Sequence, residues 1–202
     1  MSDDLQRRVL ANARRRGIKI RMRAQWGSVH PEVYRQRLRT HPVTVIKADT
    51  LVQHITVTFD TGTLTGDFDR DMRTIERIGF ERFGSGFSYN FGIDHRDGMV
   101  GVGMPLKAKG THTVDEKDNP GYTHDQNAVA RAVAWIGMPG MVPTAAAEES
   151  LAQLIAAMMD EKALTQGPDY LPHSFFAFKD CPTDSARAIM ERTLARAKEV
   201  RK

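Results

Sequence analysis

Three side chains far apart in the chain could act together on a metal ion: His54, His173 and Cys181. His54 lies in the β-branched run 51–58, while His173 and Cys181 flank seven residues near the C-terminus, with Pro182 directly after the cysteine. Two imidazoles and a thiolate form a ligand set suited to a catalytic zinc whose fourth position stays open to water. Each residue also has a plainer reading. A histidine in a strand is commonly a hydrogen-bonded structural residue, and a lone cysteine is commonly a buried small hydrophobe. Cys181 is the only cysteine in the chain, which excludes an internal disulfide. The spacing of the whole set carries the argument, not any one member.

The elements that must position these residues are legible in outline. Ser2 or Asp3 can cap a helix reaching about Arg16, with Leu5, Val9, Leu10 and Ala13 at helical spacing and Gly17 as its stop. Ile18, Ile20 and Met22 then alternate with charged residues in an extended pattern, and Pro31 opens a short helix to about Arg39. Residues 43–47 and 51–59 read as two β-rich runs. Asp67 caps an amphipathic helix that places Phe68, Met72, Ile75 and Ile78 on one face. Residues 87–94 and 99–104 flank an Asp97-Gly98 turn, which predicts a hairpin.

Residues 107–126 read as a long surface loop, of a length that is usually functional or disordered. Residues 128–137 are apolar enough for a central strand, although their alanines would equally suit a helix. Thr144 caps a helix from Ala145 to about Leu164, Gly167 and Pro168 punctuate, and residues 182–202 form a final helix. Interleaved strands and helices with a hairpin in the middle predict an α/β fold: a central mixed sheet flanked by helices.

At 202 residues the chain is most simply one domain. Its 41% hydrophobic and 27% charged composition is that of an ordinary globular protein. No apolar run nears the roughly 20 residues of a membrane span, and the N-terminus lacks the apolar core of a signal peptide. Synthesis in the cytoplasm without export by the usual route is expected. The net charge of +4 is unevenly spread: residues 1–40 hold eleven Lys/Arg against three Asp/Glu. Such a block either forms a solvated helix face or favours nucleic acid, anionic wall polymers or a membrane surface.

The segment Gln25-Trp26-Gly27, the strand ending at His54, Tyr89-Asn90-Phe91, Gly110-Thr111-His112, Asn127 and the set His173, Lys179 and Cys181-Pro182 together resemble the motifs of the zinc-dependent type 2 N-acetylmuramoyl-L-alanine amidases, the superfamily of phage amidase lysozymes and animal peptidoglycan recognition proteins. The likeness runs from Gln25 to the end of the chain. It takes in Ser88 and Gly92-Ile93 on either side of Tyr89-Asn90-Phe91, and the Asp97-Gly98 turn. The loop from His112 to His124 is longer than in the compact phage enzymes and carries Asp115, Glu116, Lys117 and Asp118. A basic extension over residues 1–24, with Arg7, Arg8, Arg14, Arg15 and Arg16, has no counterpart in the minimal domain and precedes a catalytic domain over 25–202.

The resemblance implies a peptidoglycan-recognition-protein-like fold and a Zn2+ cofactor held by His54, His173 and Cys181. It implies Tyr89 and Lys179 as catalytic groups beside the metal, and His112 and Asn127 as substrate-binding residues. Binding through neutral imidazoles and a thiolate would make metal affinity fall in acid. The implied reaction is hydrolysis of the amide between N-acetylmuramic acid and L-alanine in peptidoglycan. The implied setting is that of a phage or prophage endolysin, a monomer that meets the wall after release. Two other readings stand beside it. One is a peptidoglycan-binding protein without activity, as in animal members that lack the ligand cysteine; Cys181 argues against it. The other is a regulatory protein that binds nucleic acid through the basic N-terminal helix. Under the amidase reading no nucleic-acid partner is expected, and the helix would dock on anionic wall polymers or membrane.

Overall fold

The computed structural model describes residues 3–56, 64–113, 117, 119–122, 125–138, 140–178, 180–182 and 186–201. Along the chain run α1 (Asp4–Arg15), β1 (Ile20–Arg21), α2 (Arg23–Trp26), α3 (Pro31–Thr40), β2 (Ala48–Ile55), α4 (Phe68–Phe83) and the hairpin β3 (Phe91–Asp94) and β4 (Val100–Val102). Then come α5 (Gln126–Val129), β5 (Arg131–Ile136), α6 (Ala145–Asp160), β6 (Leu164–Pro172), a 3-10 turn (His173–Phe175) and α7 (Ala186–Glu199). Side-chain caps set the starts of α1, α4 and α6. Asp3 accepts the Gln6 N–H, Asp67 that of Arg70 and Thr144 that of Ala147. Each satisfies a donor left over at a helix start, a contribution of about 1 kcal/mol.

The strands form one mixed sheet in the order β1-β4-β3-β5-β2-β6. The neighbours β1/β4, β3/β5, β5/β2 and β2/β6 are parallel, and among the described strands only the hairpin pair β3/β4 is antiparallel. Parallel neighbours end together, so the carboxyl ends of β5, β2 and β6 line up at one rim. Open α/β sheets bind ligands at such rims.

The two faces of the sheet are covered differently. Leu51, Phe91, Ile93, Val133 and Trp135 pack with Leu5, Val9 and Leu10 of α1, Leu151 and Leu154 of α6, and Ile189 of α7 in the main core. Each fully buried side chain of this size contributes roughly 1.5–3 kcal/mol. On the other face α4 lies close against β3 and β4. A methyl group at Gly92 or Gly101 would come within 2.9 or 2.8 Å of the Met72 sulfur, so these glycines make the seat for the helix. Trp26, Tyr34, Met72, Phe87 and Met104 form the second core there. Val52 and His54, in register with Ala132 and Ala134, point to this same face beyond the cover of α4.

Two sequence expectations need correction. Residues 43–47 form no strand: Val43 and Thr44 donate to the Lys107 and Ala128 carbonyls, and the buried Arg131 guanidinium binds the Val45 and Ile46 carbonyls. Conversely, β6 was not expected, and α6 ends at Asp160, short of Leu164. Gly167 and Pro168 disguised the strand. A proline is tolerated there because β6 is an edge strand whose pairing shifts register between Ala48 and Thr50. The last part of the expected run 51–59 lies outside the described residues. No described helix is long and apolar enough to cross a membrane.

Candidate metal centre

The centre is assembled from three chain segments that meet at the sheet rim. His54 is the penultimate residue of β2, and the Gln53 side-chain amide donates to its carbonyl at 2.7 Å. The hydroxyl of Tyr170 on β6 donates in turn to Gln53 Oε1. Gln53 faces Pro172 across the β2/β6 ladder, so His173 leaves β6 at the level where His54 sits on β2. The 3-10 turn then reverses the chain toward β2. Ser174 N–H donates to the Cys181 carbonyl at 2.8 Å, and Ile55 N–H donates to Cys181 Sγ at 3.4 Å.

As a result, one donor atom from each of His54, His173 and Cys181 lies within 4.8 Å of the others. The two imidazoles have centroids 4.4 Å apart. Both are buried, whereas Cys181 is only half-buried. Zinc bonds of about 2.0–2.1 Å to nitrogen and about 2.3 Å to sulfur need tetrahedral donors roughly 3.5 Å apart. Small inward shifts of these side chains meet that spacing, and two imidazoles with one thiol are donors zinc accepts. The residues fit the ion.

Tyr89 and His112 flank the trio. The Tyr89 ring stands 4.8 Å from that of His54, and His112 meets His54 edge-on at 5.3 Å. Burial, with Cys181 nearby adding to it, pushes the Tyr89 phenol above its ordinary range, so it remains an O–H donor. Burial lowers the His112 imidazole to about 3, helped by His173 and Arg131, and keeps it neutral. Neither His112 ring nitrogen hydrogen-bonds to a described residue.

Asn127 is bound to backbone in this structure. Its Oδ1 accepts the His112 and Thr113 N–H groups at 2.7 and 3.2 Å, and its Nδ2 donates to the Thr113 carbonyl at 2.6 Å. The side chain thus clamps the backbone that carries His112. Lys179 and His124 lie outside the described residues, as do Asp115, Glu116 and Asp118.

Sequence reasoning missed a set of hydroxyls behind the site. Ser85 and Ser88 bond to Thr111 at 2.5 and 2.9 Å, tying the segment before Tyr89 to the one before His112. The small residues of Gly84-Ser85-Gly86 were the available signal.

Residues 44–184 match the family model described as N-acetylmuramoyl-L-alanine amidase. No curated protein matches the sequence. Among solved structures, the Drosophila peptidoglycan recognition protein SA is 23% identical with a TM-score of 0.64, covering 82% of this chain and 86% of its own. Human PGRP-IBETAC in complex with glycosamyl muramyl pentapeptide is 22% identical with a TM-score of 0.64, covering 85% of this chain and 94% of its own. The N-acetylmuramoyl-L-alanine amidase LysC from Clostridium intestinale is 26% identical with a TM-score of 0.55, covering 75% of this chain and 85% of its own. The architecture described above is therefore that of the peptidoglycan recognition proteins.

Proposed function

We propose, from the premise that the chain belongs to the N-acetylmuramoyl-L-alanine amidase family, that it is a zinc-dependent enzyme of cell-wall degradation. Its substrate is the amide between N-acetylmuramic acid and L-alanine in peptidoglycan, and its setting is that of a phage or prophage endolysin. The observation that carries this reading is the convergence of His54, His173 and Cys181, with donor atoms within 4.8 Å of one another. The presence of Cys181 favours a cutter of peptidoglycan over a protein that only binds it.

Zinc held by these three residues supplies a Lewis acid and a water made acidic enough to be a nucleophile near neutral pH. The chain's own residues supply the remainder. Tyr89 keeps its proton and stands beside His54, where its hydroxyl can donate to the amide oxygen as negative charge develops there. Lys179, two residues before Cys181, would add a cation to the same task. His112, neutral and buried, offers nitrogens to the bound substrate, and Asn127 holds it in position. Gln53 and Tyr170 fix the end of β2 and so the direction of His54.

Digestion of purified peptidoglycan tests the reading. Stem peptides with a newly exposed L-alanine amine are expected. New reducing ends in place of amines would make the protein a glycosidase and overturn it.

A further inference from the structure

The basic N-terminal helix has a fixed orientation relative to the candidate site. Leu5, Val9, Leu10 and Ala13 of α1 are buried in the main core, on the sheet face occupied by Val133 and Trp135. His54, in register with Ala134, lies on the opposite face. Thus α1 and the metal centre look out from opposite sides of the sheet.

On the outer side of α1, Arg7, Arg8, Arg14 and Arg15 are exposed. Arg8 pairs with Asp4 and Glu161 at 3.0 and 3.2 Å, and the half-buried Arg16 pairs with Asp160 at 2.6 Å. These two staple the helix to itself and to the end of α6. Arg7, Arg14 and Arg15 form no ion pair with a described residue. Arg7 and Arg14 are nearly two turns apart and lie along one line, with Arg15 beside them, over roughly 12 Å of helix.

We propose that this arginine stripe docks the protein on an anionic lipid surface, leaving the metal centre facing away. The outward orientation of the metal centre rests on the amidase reading; the docking does not. A wall segment bound at α1 could not at the same point reach the metal centre, because the sheet lies between them. A charged plane on the α1 side leaves the opposite side open to peptidoglycan. The apolar face of α1 is already packed in the core, so the helix adsorbs through charge alone and inserts nothing. Each arginine near an anionic surface strengthens partitioning about fivefold, so losing three weakens it about a hundredfold. Salt near 0.5 M screens the attraction.

The test uses the full chain and vesicles of phosphatidylcholine with or without phosphatidylglycerol. Co-sedimentation only with the anionic vesicles is expected, abolished by salt and by the combined Arg7→Gln, Arg14→Gln and Arg15→Gln variant. The matching Arg→Lys variant is expected to bind as the natural chain does. Equal binding by the Gln variant, or binding to phosphatidylcholine alone, overturns the proposal. So does binding to DNA or a soluble anionic wall polymer without binding to anionic vesicles. Vesicle-bound protein is expected to cleave soluble muropeptides at an unchanged rate; loss of cleavage on binding overturns the orientation. Failure to cleave with and without vesicles would instead count against the amidase reading and leave the sedimentation result standing.

Discussion

The rings of His54 and His173 lie 4.4 Å apart because β2 and β6 are parallel and paired up to Gln53 and Pro172, the residues just before them. Two histidines from distant parts of the chain thus leave adjacent strand ends at the same height. Cys181 joins them because the chain turns at His173–Phe175 and returns its sulfur to the Ile55 N–H. Cys181→Ser is therefore expected to lower bound zinc and reduce amide hydrolysis roughly a hundredfold or more. Metal analysis and amine release check both, with circular dichroism confirming an intact fold.

Tyr89→Phe removes one hydroxyl beside His54 and leaves the ring in place. If that hydroxyl stabilises charge in the transition state, kcat falls by roughly 10²–10³. KM and zinc content are expected to change little. A rise in KM at unchanged kcat would assign Tyr89 to substrate binding.

Asn127→Ala breaks three hydrogen bonds to the His112–Thr113 backbone. At roughly 0.5–1.5 kcal/mol for each, thermal unfolding is expected to report a loss of about 2–4 kcal/mol. Activity is expected to fall in Asn127→Ala and His112→Ala alike, and the double variant to fall little further. Fully additive losses would uncouple the clamp from His112.

The acid limb of stability has an identifiable contributor. Burial raises the Asp94 carboxyl, but hydrogen bonds and the charge of Arg96 outweigh burial and hold it below its ordinary value. Its contribution is complete above the unfolded value of about 3.9. It is lost as the pH falls from there through the lower folded value. Asp94→Asn is expected to lower Tm at neutral pH, by roughly 1–3 kcal/mol in stability, with the gap closing in strong acid. A gap that persists unchanged below about pH 2 would exclude this titration as its cause.

Much of this was legible because local chemistry and tertiary packing agree. Asp67 and Thr144 cap the helices their spacing announces, and Asp97-Gly98 turns the hairpin, with Gly98 at φ +73°. His54, His173 and Cys181 were legible as a candidate ligand set from their motif spacing, and their proximity follows from strand register. Other features depend on the assembled fold. Strand β6 carries Gly167 and Pro168, which local rules read as a break and an edge position tolerates. Val45 and Ile46 look like strand residues but are partly exposed, their carbonyls held by the distant Arg131. Only the folded chain reveals that the Asn127 amide is bound to backbone. Nothing local announces such long-range partners.

The most direct measurement of the central claim is zinc content and amine release from peptidoglycan on the same protein, before and after chelation. One zinc per chain, activity lost with the metal and restored by zinc, and neither in Cys181→Ser is the result this account expects. Undiminished release of L-alanine amines by metal-free protein would contradict it.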